Sequence, residues 1–401
     1  MESNELFSIK DEPSKTNDSG IMGLDDLDID NLDVPEIVIK VVGVGGAGGN
    51  ALNTIIESGI NDVDFIAVNT DVAALRRSKA PKRLILGRTT TKGRGAGADP
   101  TKGLEAAQES AEHLEKLLEK SDMVFITAGM GGGTGTGASP EIAAIAKEKI
   151  GALVVAVVTF PFDWEGKGRR DRAIEGIEKL RQKVDAIIIV QNNRIIELSD
   201  KSTTCTEAFK MSDDVLRQAV TGVTGVVRKV LQINVDFEDV CKTMRNAGTA
   251  IIGVGEVDID SCNGESAILK AANAAMNGPM MTTPMNGATS VLYSVESGTD
   301  LPIHELNEAA QLIQANASKE AKITWGQGID STMGNKVRFT LIATGFKDAS
   351  VAEGDKGSIV IDSHNLTPAD VVSEEQSNTS IFAGLGGAEL DIPTALRRRK
   401  K

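Results

Sequence analysis

Five glycines in seven positions, Gly131 to Gly137, stand between the apolar run Met123-Val124-Phe125-Ile126 and a segment opened by Ser139 and Pro140 that reads as a helix. The stretch "FITAGMGGGTGTGASPEI" thus describes a buried strand passing directly into a helix through bare backbone. Glycine lets the backbone approach a ligand and aim successive N–H groups at one anion, and a helix N-terminus adds a favourable dipole. A bound phosphate is the simplest physical need that fits. A flexible surface loop is the bland alternative, and the tight flanks and absence of linker composition speak against it.

Around this turn, strands alternate with helices. "IVIKVVGV", "DFIAVNT", "MVFITAG", "ALVVAVVTF" and "AIIIVQN" are continuous apolar runs, the pattern of parallel strands covered on both faces. Segments between them, such as "LEAAQESAEHLEKLLEKS", carry helical spacing, which predicts a doubly wound α/β domain over residues 35–205. In residues 206–232, Phe209, Leu216, Val220, Val223, Val227 and Val230 recur at helical spacing, and Val215, Ala219 and Val226 widen the apolar surface. That predicts a central helix buried between two layers. Residues 233–346 read as a loop and a smaller α+β domain, with strands in "TAIIGVGEV", "ATSVLYSVES", "AKITWGQGI" and "KVRFTLIATGF" around two helices. Residues 1–34 are polar and acidic and read as disordered, 347–388 read as a linker, and 389–401 form a short apolar motif with a basic end.

Composition narrows the function. With 401 residues, 41% of them hydrophobic, the chain can bury a sizeable core in two domains, and a formal charge of −14 argues against nucleic acid as a main partner. No apolar run is long enough to span a bilayer, and "MESNELFSIKDEPSK" has none of the features of a signal peptide. Cys205, Cys241 and Cys262 fit no metal or redox spacing, which points to a reduced cytoplasm. His113, His304 and His364 lie near no other candidate ligand or nucleophile, so neither a zinc site nor a serine or cysteine triad is expected.

The first strand ends in "GVGGAGGN", where Gly43, Gly45 and Gly48 satisfy G-x-G-x-x-G, with Asp71 after the next strand as a possible ribose ligand. Alone this is a weak signal, since a tight turn uses glycine equally well. Two glycine-rich strand-to-helix turns in one sheet suit a ligand with several phosphates. No G-x-x-x-x-G-K-[ST] is present, so anion binding would rest on backbone donors with a metal ion sharing the charge. "TKGRGAGADP" is a third candidate loop, and a plain connection fits it as well. In "PFDWEGKGRRDR", Glu165 could accept from ribose hydroxyls and Arg169 could reach a phosphate or a base, against the equal claim of a solvated charge cluster. Asp213 and Asp214 read either as helix-dipole partners or as acceptors for the paired N–H donors of guanine.

Asp236, Glu238 and Asp239 gather around Phe237 in "QINVDFEDV". Locally, a helix N-cap is the favoured reading. However, a helix of about 25 residues spans roughly 37 Å and separates these acids from the glycine loops. They cannot serve a nucleotide in their own subunit, but could serve one bound to a neighbour.

Taken in order and spacing, "GVGGAGGN", "FIAVNTD", "KGRGAGADP", "DMVFITAGMGGGTGTG", "VVTFPFDWEGKGR", "DDVLRQAV" and "NVDFED" resemble FtsZ, the family of bacterial tubulin-like cell-division GTPases. The resemblance covers about residues 37–346, and "LDIPTALRRR" is similar to the family's C-terminal partner-binding peptide. It implies a tubulin/FtsZ-like fold: a Rossmann-like parallel-sheet GTPase domain, a long central helix and a smaller α+β C-terminal domain. It implies GTP or GDP, with Mg²⁺ bound mainly through the nucleotide. It also implies a head-to-tail homopolymer forming the cytoplasmic mid-cell division ring, bound through Leu390–Arg398 to membrane-tether and regulatory division proteins such as FtsA.

Carried over by motif, Gly46, Ala47, Gly48, Gly49 and Asn50, with Gly132, Gly133, Thr134 and Gly135, would hold phosphates. Glu165 and Arg169 would contact ribose and nucleotide, and Asp213 the guanine. Asp236 and Asp239, with Asn234 of the same motif, would be catalytic against the next subunit's γ-phosphate. The chain departs from the family at Val190–Asn193, where "VQNN" replaces "I-P-N-D", at "LYSVESG", and in carrying Asp213-Asp214 where Asn often stands beside Asp. Two other classes compete. An NAD(P)-dependent oxidoreductase would use Gly43, Gly45, Gly48 and Asp71 but leaves "GGGTGTG" and the distant acids without a task. A non-hydrolysing nucleotide-bound scaffold polymer would keep the nucleotide and lose turnover.

Overall fold

The computed structural model describes residues 37–60, 63–228, 233, 235–262, 264–278, 280–281 and 285–346, with Leu198 and Arg228 described in their backbones alone. The two expected tails, residues 229–232 at the expected end of the central helix, Asn234, and the peptide Leu390–Arg398 lie outside the described residues.

The first half runs β1 (Ile39–Val44), α1 (Gly45–Glu57), β2 (Asp64–Asn69), α2 (Val72–Arg77), β3 (Lys82–Ile85), α3 (Pro100–Glu109), α4 (Ala111–Leu118), β4 (Met123–Gly129), α5 (Thr134–Ala144), β5 (Leu153–Phe160), α6 (Lys167–Arg181), β6 (Ala186–Gln191) and α7 (Asn192–Leu198). Its six strands pair in parallel in the order β3-β2-β1-β4-β5-β6. The apolar runs are continuous because both faces are covered. Val41, Phe125 and Val155 pack on the face of α1, while Val42, Ile126 and Ala156 pack on the face of α5 and α6. Each large aliphatic side chain so buried contributes about 1.5–3 kcal/mol.

Three local features differ from the sequence reading. β3 is a short edge strand whose first residues, Lys82 and Arg83, are exposed, so it lacks the apolar run that marks the other five. The single helix expected in "LEAAQESAEHLEKLLEKS" is broken at Ser110, whose hydroxyl accepts from the Gly87 N–H at 3.0 Å. The short helix α7 directly follows β6 and was not foreseen.

α8 (Cys205–Arg228) follows, 24 residues and about 36 Å long. Leu216, Val220 and Val223 are fully buried, and Gly222 lies so close to Ile252, Val254 and Thr340 that a Cβ would stand 3.3 Å from each. The second half is α9 (Phe237–Met244), β7 (Gly248–Asp258), α10 (Ala267–Met276), β8 (Ser290–Ser297), α11 (Ile303–Asn316), β9 (Lys322–Ile329) and β10 (Lys336–Thr344). β10 pairs antiparallel with both β7 and β8, and β8 parallel with β9. Through Ala186↔Gly248 and Ile187↔Thr249, β7 joins β6, so ten strands form one sheet among the described residues.

Candidate functional site

Ligands of parallel sheets bind outside the carboxyl ends of the strands, and both glycine runs lie there, after β1 and after β4. The two turns touch. Gly45, at φ +73°, sits so close to Gly135 that a Cβ would stand 3.0 Å from its nitrogen. Neither helix is capped by protein: Val44 and Gly133 make no side-chain cap bond, and neither first turn holds an acid. The first N–H groups of α1 and α5 therefore converge with no side-chain cap among the described residues and with two dipoles behind them, an anion site built from backbone.

The glycines divide into two groups. A Cβ on Gly48 would overlap the Thr127 carbonyl, one on Gly135 would stand 2.6 Å from the Gly129 oxygen, and one on Gly133 would stand 2.9 Å from the Asp99 nitrogen. These positions are glycine because protein is in the way. Gly46, Gly49 and Gly132 have nothing within 4 Å of a Cβ position. No packing accounts for glycine there, although glycine in a helix costs about 0.5–1 kcal/mol relative to alanine. Empty space kept beside donors is what a phosphate chain requires. Gly46, Gly49 and Asn50 line one cleft with Asn53, and exposed Ala47 lies beside them, its methyl set against Gly129. Thr134 is buried and shares a 2.7 Å hydrogen bond with Thr70.

Glu165 and Arg169 sit beside the second glycine turn. The Arg169 side chain crosses Gly131, where a Cβ would stand 2.7 Å from its Cγ, and Arg172 donates to the Gly131 carbonyl at 3.1 Å. The Glu165 side chain is only 6% exposed, and both its oxygens are engaged. One accepts from the Phe162 N–H at 2.9 Å and the other pairs with Arg169 at 2.9 Å. Phe162, Trp164 and Phe209 form an aromatic cluster, with Phe162 and Trp164 stacked and Phe209 edge-on to both, that joins this turn to the start of α8.

Asp213 stands one turn beyond Phe209, half-buried, with no bond to any described residue. Burial alone raises its pKa to about 7. Asn192, buried at the carboxyl end of β6, accepts from the Ser212 hydroxyl at 2.8 Å and so adjoins Asp213. Sequence reasoning passed over Asn192. Its signal was position: it is the first residue past a parallel strand, inside the "VQNN" departure. Asp71, by contrast, accepts from Ala73 N–H and Ala74 N–H and caps α2, which takes the ribose ligand away from the oxidoreductase reading.

The acids of α9 are elsewhere. Ile233 pairs with Gln327 of β9, and Asn246, just past α9, donates its N–H to Asp185 ahead of β6. α9 therefore lies at the amino ends of the parallel strands, opposite the glycine turns. Asp236 occupies the N-cap position of α9, yet its carboxylate makes no cap bond and is exposed. The local cap reading thus leaves that side chain unused. Asp239, one turn on and on the same face, is half-buried and among the described residues pairs only with the exposed Lys242, at 3.3 Å.

Comparison with known proteins agrees with this layout. The model for the Tubulin/FtsZ family GTPase domain matches residues 38–200, and that for the FtsZ family C-terminal domain matches 248–347. An empty FtsZ dimer from M. jannaschii is 41% identical, with TM-score 0.72, covering 79% of this chain and 90% of that one. The chain belongs to the FtsZ family. Two CetZ proteins of Haloferax volcanii share the fold at lower identity. CetZ2, described as a GTPγS-bound protofilament, is 18% identical with TM-score 0.69, covering 78% of this chain and 95% of that one. CetZ1, described as a GDP-bound monomer, is 20% identical with TM-score 0.67, covering 78% and 96%.

As an FtsZ-family protein the chain is a GTPase that binds guanine nucleotide, with the fold of polymer-forming cytoskeletal proteins. No cluster of three or more acids, histidines or cysteines suited to a metal occurs among the described residues, and no described helix is long and apolar enough to cross a membrane. The donor set at the glycine turns is amides and hydroxyls, which fits a metal ion carried by phosphate oxygens rather than by a protein cage.

Proposed function

We propose that this FtsZ-family GTPase polymerises head to tail and hydrolyses GTP at the junction between subunits, forming the cytoplasmic division ring at the future septum. The observation that carries this reading is the separation of two half-sites. The phosphate cradle lies at the carboxyl ends of the strands, and Asp236 and Asp239 lie at the amino ends, the first exposed and the second half-buried, with Lys242 as their one side-chain partner among the described residues. Stacking in one direction brings the amino-end face of one subunit onto the cradle of the next, a heterologous contact that repeats without closing.

In that arrangement the first-turn N–H groups of α1 and α5 hold the phosphates, with Gly46, Gly49 and Gly132 leaving room for them. Arg169 lies over the second turn, Asp213 accepts from guanine, and Glu165 reaches the ribose by sharing a bond it now makes internally. The hydroxyl- and amide-lined turns, Thr134 among them, would hold Mg²⁺ through the nucleotide, and the ion would supply charge neutralisation on the transferred phosphoryl group. The incoming Asp236 and Asp239 orient the attacking water and accept its proton, with Asn234 of the same loop beside them. Since the apposed half carries acids rather than a basic finger, positioning is its contribution. The peptide Leu390–Arg398 binds tether and regulatory division proteins, FtsA among the candidates, through an apolar cluster and a basic end.

GTP hydrolysis measured against protein concentration, for wild type and Asp239→Ala with ATP and NADH as controls, tests the reading. A threshold concentration, preference for GTP and loss in the variant are expected. A rate per molecule independent of concentration and unchanged in Asp239→Ala would refute the shared site.

A further inference from the structure

Between Val72 and Gly95 the chain carries eight lysines and arginines and no acid, within a protein of net charge −14. The fold spreads these cations unevenly. Lys79 pairs with Glu57 at 2.5 Å and Lys82 with Asp64 at 2.7 Å, and Arg77 lines the cleft of the glycine turns. Arg76, Arg83, Arg88 and Lys92 instead surround a second, open cleft of about 690 Å³ on the other side of α2, floored by Val72, Leu75 and Ile85. All four cations are exposed, and none has an acidic partner among the described residues. Arg83 makes one hydrogen bond, from Nε to the Ala80 carbonyl at 2.8 Å. The nearest acids are committed elsewhere: Asp71 caps α2, and Glu109 accepts from Thr89 N–H and Thr90 N–H. One wall of the cleft is β3, the edge strand, whose outer backbone groups face no strand.

The complement of this surface is in the same chain. Residues 24–33, "LDDLDIDNLD", hold five aspartates and no cation, interleaved with Leu24, Leu27, Ile29 and Leu32. The cleft asks for that combination, apolar side chains for a floor and carboxylates for a basic rim. The segment also lies within reach. The register Gly43↔Ala67↔Arg83 sets Arg83 level with Gly43, two strands away. From Ile37 that is about 20 Å along β1 and about 10 Å across the sheet, a path that about seven extended residues cover. Asp30 and everything before it can therefore reach the cleft. Tethering makes the local concentration of the segment on the order of millimolar, so weak intrinsic affinity suffices.

We propose that the segment 24–33 docks in cis, with Leu24–Asp30 seated in the basic cleft formed by α2, β3 and the loop carrying Arg88 and Lys92 and residues 31–33 leading to it from β1. Neighbouring carboxylates and arginines at such a surface attract over about 8–10 Å in ordinary salt and much less when salt is raised. The cleft backs onto α2, whose opposite side faces the glycine turns, so occupancy bears on the mobility of that helix.

Hydrogen exchange of the full chain with GDP, read by mass spectrometry, tests this. Backbone N–H groups of residues 24–30 are expected to exchange at least about tenfold more slowly than an unstructured peptide, equally at two protein concentrations. Protection should disappear in Arg76→Glu/Arg83→Glu, and on raising salt from about 50 to about 500 mM. A tail variant with Asp25, Asp26, Asp28 and Asp30 changed to Asn, which leaves the folded part untouched, should lose it too. Free-peptide rates in wild type, or protection that survives both variants, would overturn the proposal. Protection that grows with protein concentration would overturn it as well, since the occupant would then be a second copy.

Discussion

Asp213 and Asp214 are adjacent on α8 with opposite circumstances. Asp214 is held by Arg217 at 2.6 Å and Gln218 at 2.8 Å on its own helix, whereas Asp213 is half-buried without a partner among the described residues. The pair that reads as a doubled acid in sequence is thus one helix-stabilising carboxylate and one open acceptor.

The open acceptor predicts a pH dependence. Burial raises the Asp213 pKa from 3.8 to about 7, so between those values the folded, empty protein binds more protons than the unfolded chain. Its contribution to stability is full below about pH 4 and is lost as pH rises through about 7. Asp213→Asn should therefore melt higher than wild type at pH 8 without nucleotide, with the difference closing toward pH 4. Guanine offers N–H donors that favour the carboxylate, so GTP affinity should rise with pH up to about 7 and then level off. In Asp213→Asn that rise should be gone and the preference for GTP over ITP, which lacks the 2-amino donor, reduced. Calorimetric melting and nucleotide titration across pH check both halves.

The two groups of glycine predict opposite responses to the same methyl. Gly49→Ala places it in open space within α1 and should stabilise the empty protein by about 0.5–1 kcal/mol while weakening GTP binding by at least about tenfold. Gly48→Ala drives it into the Thr127 carbonyl and should destabilise the empty protein by about 1–3 kcal/mol or more. Melting of both variants with and without GTP distinguishes them; two variants that both destabilise would show that Gly49 is packed after all.

What was legible in the sequence follows from how local each signal is. Continuous apolar runs such as Leu153–Phe160 identify parallel strands because burial on both faces is written into the strand itself. β3 lacks such a run because Lys82 and Arg83 belong to an edge, where one side of the strand meets water. The break at Ser110 escaped because its cause is a bond to Gly87, 23 residues away. The glycine turns stood out as phosphate loops, yet which glycines make room and which merely avoid a clash depends on β4 and on Asp99. Asn192 showed only its position past a strand, because its relation to Asp213 is made through Ser212, across the β6–α8 connection. Local composition showed the elements, and pairings distant in sequence decided what each residue serves.

An ion pair between a buried aspartate and a half-buried lysine ties the amino-end face together. Asp185, 3% exposed, pairs with Lys147 at 2.9 Å and accepts from Val154 N–H at 2.9 Å and from Asn246 N–H, the residue that links α9 to β7. Lys147 lies in the π-helical turn Ile145–Ile150 that extends α5, a geometry uncommon enough to suggest a constraint. Removing one partner of a fully buried pair costs about 3–5 kcal/mol, and the partial exposure of Lys147 together with the two remaining N–H bonds to Asp185 places Lys147→Met below that, at about 1–3 kcal/mol. Thermal melting should show that loss, and Lys147→Arg should restore part of it. Equal melting of Lys147→Met and wild type would mean that the pair contributes nothing net.

A site divided between subunits predicts rescue by mixing. Gly46→Val fills the cradle without touching protein, so that subunit keeps its acids and loses its nucleotide. Asp239→Ala keeps the cradle and loses an acid whose only described partner is Lys242. Each alone should be nearly inactive. In a one-to-one mixture, head-to-tail stacking of an Asp239→Ala cradle onto the acids of a Gly46→Val subunit completes the site at about a quarter of junctions if assembly is random. GTP turnover of the mixture should approach that fraction of wild type and fall again on dilution. Strict additivity of the two inactive proteins, at concentrations where both enter filaments, would show that Asp239 acts on the nucleotide of its own subunit or not at all.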